Sequence, residues 1–166
     1  MLDAPTAPAA PTVIHRGDYR PPDWLVPEVR LDFDLAAGRT RVRATLSVER
    51  NGQHDRALRL DGDELTPQVV RIDGEETSNW AMEDGALVIP LDGQAHRIET
   101  EVELNPASNT KLMGLYASSG LLCTQCEAEG FRRITFFPDR PDVLSRYQVR
   151  MEAVRGEFPV LLCNGD

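Results

Sequence analysis

The chain has 166 residues, enough for one domain with a real core, and a formal charge of -9. That charge argues against a nucleic-acid surface and against an anionic membrane, since both require a basic patch. No apolar run approaches the roughly 18 residues of a membrane span, and Met1-Leu2-Asp3-Ala4-Pro5 lacks the basic-then-apolar order of a signal peptide.

Residues 1–14 open with a Pro/Ala-rich segment that reads as a mobile tail. Arg16-Gly17-Asp18 spells an adhesion tripeptide, which in so acidic a chain reads as chance. From Val29 the pattern turns two-fold. Val29, Leu31, Phe33 and Leu35 alternate with Arg30, Asp32 and Asp34, Ala36-Ala37-Gly38 makes a turn, and Val42, Ala44, Leu46 and Val48 alternate with polar residues. This predicts a long hairpin with one buried and one wet face. Asn51-Gly52 is the next turn signal. Short strands follow at Leu58–Leu60 and Val69–Ile72, closed by Asp61-Gly62 and Asp73-Gly74. Trp80 and Met82 lead through Asp84-Gly85 to Leu87, Ile89 and Leu91, a second hairpin whose Pro90 marks an edge or an interruption. Ile98, Thr100, Val102 and Leu104 then alternate with Arg97, Glu99, Glu101 and Glu103, an acidic comb that reads as a solvated face.

Residues 107–120 read as loop. Tyr147, Val149, Met151 and Ala153 predict another strand, and Phe158–Cys163 a further β-like run ending at the turn signal Asn164-Gly165. With no return strand after that turn, the chain reads as a truncated domain. There is no amphipathic helix of three turns and no internal repeat. The predicted fold class is all-β, a sandwich or saddle of antiparallel sheets.

The stretch Cys123–Ala153 carries the chemistry. An amide and two carboxylates crowd into Gln125–Glu129. Read as extended, Cys123, Gln125, Glu127 and Glu129 share one face, and Thr124, Cys126 and Ala128 the other. The second face is small and can pack. The first presents acceptors, with Arg132 and Arg133 as the bases near in sequence, and it suits a cation. It reads either as a solvated strand face or as an anionic subsite for an ammonium. At roughly 4 Å and an effective dielectric of about 20, one such pair gains about 4 kcal/mol before desolvation.

His15, His54 and His96 are too far apart in sequence for a His-x-x-x-His zinc pair. No Gly-rich phosphate loop and no Gly-x-Ser-x-Gly elbow is present. Cys123-x-x-Cys126 lacks two further zinc ligands, and its offset of three puts the thiols on opposite faces of a strand, so a metal or redox pair is disfavoured. Three cysteines with one close pair fit free thiols in a cytoplasmic protein.

Asn105-Pro106-Ala107-Ser108-Asn109-Thr110, Gly114-Leu115-Tyr116, Cys123 through Arg132, Ile134-Thr135 and Asp139 through Leu144 together resemble the bacterial aminopeptidase N family of zinc metallopeptidases. Asp18-Tyr19-Arg20, Pro22-Asp23 and Leu31 through Leu35 are similar as well. Phe136-Phe137-Pro138 departs from the family pattern, in a stretch read as loop rather than acidic face.

The resemblance implies an N-terminal β-saddle domain over residues 15–166, belonging to an enzyme of peptide catabolism that removes N-terminal residues. It implies that Glu127 binds the free α-amine of a peptide substrate and that Gln125 lines the pocket for the first side chain; it gives Glu129 no such role. The family's His-Glu-x-x-His and Gly-x-Met-Glu-Asn motifs are missing here. The catalytic residues and the zinc are therefore expected in a catalytic domain of the same, longer chain. The fragment alone is expected to be inactive, to hold no metal, and to self-associate. The alternatives are a non-catalytic β-sandwich binding or interaction module and a catalytically silent relative.

Overall fold

A computed structural model describes residues 15–165, so the expected tail over 1–14 lies outside the described residues. The described residues form three sheets and short 3-10 turns, in line with the predicted all-β class. The first hairpin joins β1 (Trp24–Leu35) to β2 (Thr40–Arg50). It buries Val29, Leu31 and Leu35 against Val42, Ala44, Leu46 and Val48, as the two-fold pattern requires. β1 starts five residues earlier than the sequence suggests. Its ladder with β2 shifts register between Leu25 and Glu28, so Trp24 and Val26 are buried in one phase and Val29 onward in the other. A bulge next to Pro27 breaks the alternation that marks a strand.

Two short strands follow, β3 (Leu58–Asp61) and β4 (Pro67–Ile72), then β5 (Glu75–Glu76), β6 (Ala81–Glu83), β7 (Ala86–Ile89) and β8 (Ala95–Leu104). Strand β3 pairs with β7, which pairs with β6, giving a three-stranded sheet. Of the two readings of Pro90, the interruption holds, since the strand stops at Ile89 short of Leu91, and the edge is corrected. β7 is the central strand, and Pro90 stands just beyond its last residue, where the missing N–H costs no ladder bond. The acidic comb on β8 faces arginines of β2 and the residue before it: Arg39, just ahead of β2, reaches Glu103 at 2.7 Å, and Arg41 and Arg43 reach Glu101 at 3.3 and 3.0 Å. It is a cross-strand ion-pair ladder on a wet face, with Arg97 closing on Glu99 at 2.9 Å.

The last strand, β11 (Arg146–Ala153), lies at the edge of a six-stranded sheet ordered β11-β1-β2-β8-β4-β5. It runs parallel to β1, with Glu28 opposite Arg146 and Leu35 opposite Ala153, whereas the other ladders are antiparallel. The apolar run 158–163 is not a strand, contrary to its β-like composition. It has no ladder partner among the described residues, and an unpaired apolar run does not hold strand geometry on its own.

Leu58, Leu60, Leu87 and Ile89 of the small sheet share one core with Val42, Leu46, Ile98 and Val102 of the large one. Each such side chain contributes about 1.5–3 kcal/mol when fully buried. The Phe136-Phe137 departure falls in this core and not on a surface loop: both rings are buried, and Phe137 exchanges backbone hydrogen bonds with Asp61 of β3.

Candidate functional site

The residues read as loop over 107–120 contain a strand, β9 (Gly114–Ser118), which pairs with β10 (Leu121–Gln125). Ser119 and Gly120 both have positive φ, 51° and 81°, as a two-residue hairpin turn requires. Gln125 thus stands at the end of β10, opposite Gly114. Asn109 shapes the approach to β9. Its side-chain amide donates to the carbonyls of Met113 (2.8 Å) and Leu115 (2.9 Å), while its Oδ1 accepts from the Lys111 N–H (3.1 Å).

Beyond Gln125 the chain leaves the sheet. Residues 127–130 form a turn, closed by the Gly130 N–H donating to the Cys126 carbonyl at 2.8 Å. The peptide between Glu127 and Ala128 is cis. The single extended face proposed for Cys123, Gln125, Glu127 and Glu129 is therefore corrected: Cys123 and Gln125 lie on β10, and Glu127 and Glu129 on the turn. The cause is Gly130. A methyl there would lie 2.6 Å from the Gln125 carbonyl oxygen and 2.7 Å from the Cys126 Cα, so a residue without a Cβ lets the chain fold back this closely.

The three acceptors differ in their surroundings. Glu129 is tied to Arg132 at 3.4 Å, its side chain 70% exposed. Gln125 and Glu127 are exposed, and neither side chain has a hydrogen-bond or ion-pair partner among the described residues. The turn beneath them is well anchored. Arg132 donates from its backbone N–H and its Nε to one Asp139 carboxylate oxygen, both at 3.1 Å, and from Nη2 to the Asp139 carbonyl at 2.9 Å. Phe131 packs edge-on against Phe137, with ring centroids 5.1 Å apart, and against Tyr147. Arg133 pairs with Asp63 and Glu64. Sequence reasoning singled out the acceptors, placed Arg133 only as a nearby base and Asn109 only within a family-like segment, and passed over Glu64; the partners of these three lie far along the chain or in backbone.

Thr124 and Cys126, expected to pack, line an apolar groove of ≈ 500 Å³ beside Phe131, Tyr147 and Val149. Burial in that wall pushes the Cys126 thiol above its ordinary pKa. Cys123, Cys126 and Cys163 are free thiols. Among the described residues no three His, Cys, Asp or Glu side chains come together in a group that could hold a metal ion. No described helix is long and apolar enough to cross a membrane.

Residues 25–166 match the Peptidase M1 N-terminal domain. The chain belongs to that family. It is 49% identical over 158 residues to an aminopeptidase N of Caulobacter vibrioides and 44% identical over 156 residues to that of Escherichia coli. Each match covers 94% of this chain but 18% of the relative, so the chain spans about a fifth of their length. A crystal structure of Legionella pneumophila aminopeptidase A in complex with aspartic acid superposes with a TM-score of 0.82 at 32% identity, covering 90% of this chain and 18% of that one. An M1 N-terminal domain accounts for the sheets and for the segment from Gly114 to Arg133 that carries the acidic turn.

Proposed function

We propose that this chain is the N-terminal substrate-recognition part of a cytoplasmic zinc-dependent aminopeptidase, in which Glu127 receives the free α-amine of a peptide and Gln125 borders the pocket for its first side chain. The observation that carries this reading is the exposed Glu127 carboxylate, without a protein partner on a turn fixed from below by Arg132 and Arg133. A carboxylate held in place but left unpaired keeps its acceptor capacity for an incoming ammonium. Fixing the amine sets the register of the peptide, so that its first peptide bond is the one presented for cleavage. The rest of a longer protein, matching the other four-fifths of the relatives, supplies the zinc and the catalytic groups. Membership of the M1 family and likeness to named aminopeptidases support this assignment.

The test compares the whole protein with the 166-residue chain on an alanyl anilide and its N-acetyl counterpart. The whole protein is expected to cleave the free-amine substrate at least about a hundred-fold faster than the blocked one, the size of a lost charge-assisted contact that also sets register. The 166-residue chain is expected to cleave neither and to hold no stoichiometric zinc by metal analysis. Equal rates on the two substrates would overturn the amine reading, and turnover or tight zinc in the short chain would overturn the division of labour.

The short chain also presents apolar surface that calls for cover. Tyr147 and Val149 on edge strand β11 are exposed, as are Leu121, Val160 and Leu162 around the groove. Unpaired edges and apolar patches associate. The isolated chain is expected to self-associate through this side, seen as an apparent mass in light scattering that rises with concentration; a constant monomer mass would refute it.

A further inference from the structure

We propose that Glu64, Arg133 and Lys111 form a positioning network that fixes the Gln125–Gly130 turn, and through it Glu127, against the amine of a bound peptide. The inference rests on the amine reading of Glu127 and adds three residues that need not touch the peptide themselves.

Glu64 lies between β3 and β4, Lys111 in the segment before β9, and Arg133 just after the acidic turn. One carboxylate joins all three segments: Glu64 Oε1 is 2.7 Å from Lys111 Nζ, and Oε2 is 2.6 Å from Arg133 Nη2. Arg133 also pairs with the neighbouring Asp63, and its side chain is 8% exposed. Its Nε is buried and has no partner among the described residues, so the charge rests on Asp63 and Glu64. A guanidinium this buried is costly to unpair. Glu64 has φ +57°, a left-handed conformation that residues with a side chain seldom adopt. The Lys111 ammonium, then the Arg133 guanidinium, hold the Glu64 carboxyl below the usual carboxylate range, so it is ionised at neutral pH.

The link from Arg133 to the turn is short. Its backbone N–H donates to the Gly130 carbonyl at 3.1 Å. Its Cβ lies against Gly114, where an added methyl would be 2.7 Å away and 3.4 Å from the Gly130 carbonyl oxygen. Gly114 is the ladder partner of Gln125. One end of Arg133 is thus clamped to the Glu64 loop, and the other braces both ends of the acidic turn. Lys111 ties the segment entering Gly114 to the same carboxylate. Loosening Glu64 lets the turn shift without removing any group that would meet the substrate.

The test is run on the whole protein with Glu64→Gln, Glu64→Asp and Lys111→Met beside Glu127→Gln. Replacing Arg133 bares two carboxylates and risks the fold, so the network is probed from its exposed members. For an alanyl substrate, Glu64→Gln is expected to lower kcat/KM about five- to twenty-fold, with KM raised and kcat lowered together, because a shifted Glu127 weakens the hold on the amine and loosens the register. Lys111→Met is expected to lower kcat/KM about two- to five-fold, and Glu64→Asp, which keeps the charge, to recover most of the loss. The inhibition constant of an N-acetylated peptide, which still meets Gln125 but has no amine for Glu127, should rise less than about two-fold. A general structural role would instead lower the melting temperature and affect blocked and free peptides alike, and that outcome overturns the proposal. So does an unchanged kcat/KM in Glu64→Gln while Glu127→Gln is impaired. If Glu127→Gln is itself silent, the amine reading falls first, and the network with it.

Discussion

Replacing Glu127 by glutamine in the whole protein is expected to lower kcat/KM on an alanyl substrate by about ten- to a thousand-fold, the equivalent of roughly 1.5–4 kcal/mol from a charge-assisted contact that also sets register. Glutamine keeps the size of the side chain and one acceptor oxygen, so the variant isolates the charge. Zinc content should not change, because the described residues bring no metal-ligand cluster together. Binding of amine-blocked peptides should hardly change either. Glu129→Gln is the control that the geometry supplies. Glu129 already spends its charge on Arg132 at 3.4 Å and stands 70% exposed, so its loss is expected to cost far less. Gln125→Ala should alter the preference for the first side chain more than the need for an amine. Near-normal kcat/KM in Glu127→Gln, together with a deep loss in Glu129→Gln, would show that the roles were assigned to the wrong carboxylate.

What could be read from the sequence follows the range of the interaction concerned. Strands β2, β8 and β11 announce themselves because apolar-polar alternation in the sequence is local, and β2 and β8 keep one buried phase along their length. β1 hides its first half because the bulge near Pro27 changes phase. β9 escapes notice because Ser118-Ser119-Gly120 resembles plain loop, although Ser119-Gly120 between the short apolar runs Leu115-Tyr116-Ala117 and Leu121-Leu122-Cys123 is a usable hairpin signal. The parallel pairing of β11 with β1 could not be read at all, since strand direction is set by the whole path between Leu35 and Arg146. At the site, residue types alone singled out Gln125, Glu127 and Glu129, but alternation placed both carboxylates on a strand. A single glycine at 130 turns the chain out of the sheet, and its meaning lies in a close approach to Cys126 that no periodicity encodes. The role given to Glu127 came from the resemblance, because an exposed carboxylate looks the same in sequence whether or not it has a partner.

A second large effect is expected at Phe136, away from the acidic turn. Its ring is fully buried and presses on Gly62, where a built Cβ would lie 2.3 Å from the ring edge. Phe136→Ala removes the ring and leaves a cavity in the core beside Gly62, at a cost of about 3–5 kcal/mol. For a chain of this size that corresponds to a fall of roughly 6–20 °C in melting temperature. Gly62 does not have a positive φ, so Gly62→Ala tests sterics without a backbone penalty. Alone it overpacks the ring and is expected to cost about 1–3 kcal/mol. Combined with Phe136→Ala, the methyl enters the vacated space and its penalty should vanish, leaving the double variant less destabilised than the sum by about 1 kcal/mol or more. Thermal unfolding of the 166-residue chain and its three variants at one protein concentration measures all these terms. A shift under about 2 °C for Phe136→Ala would remove Phe136 from the core. Strict additivity in the double variant would mean that Gly62 is required for some reason other than the ring against it.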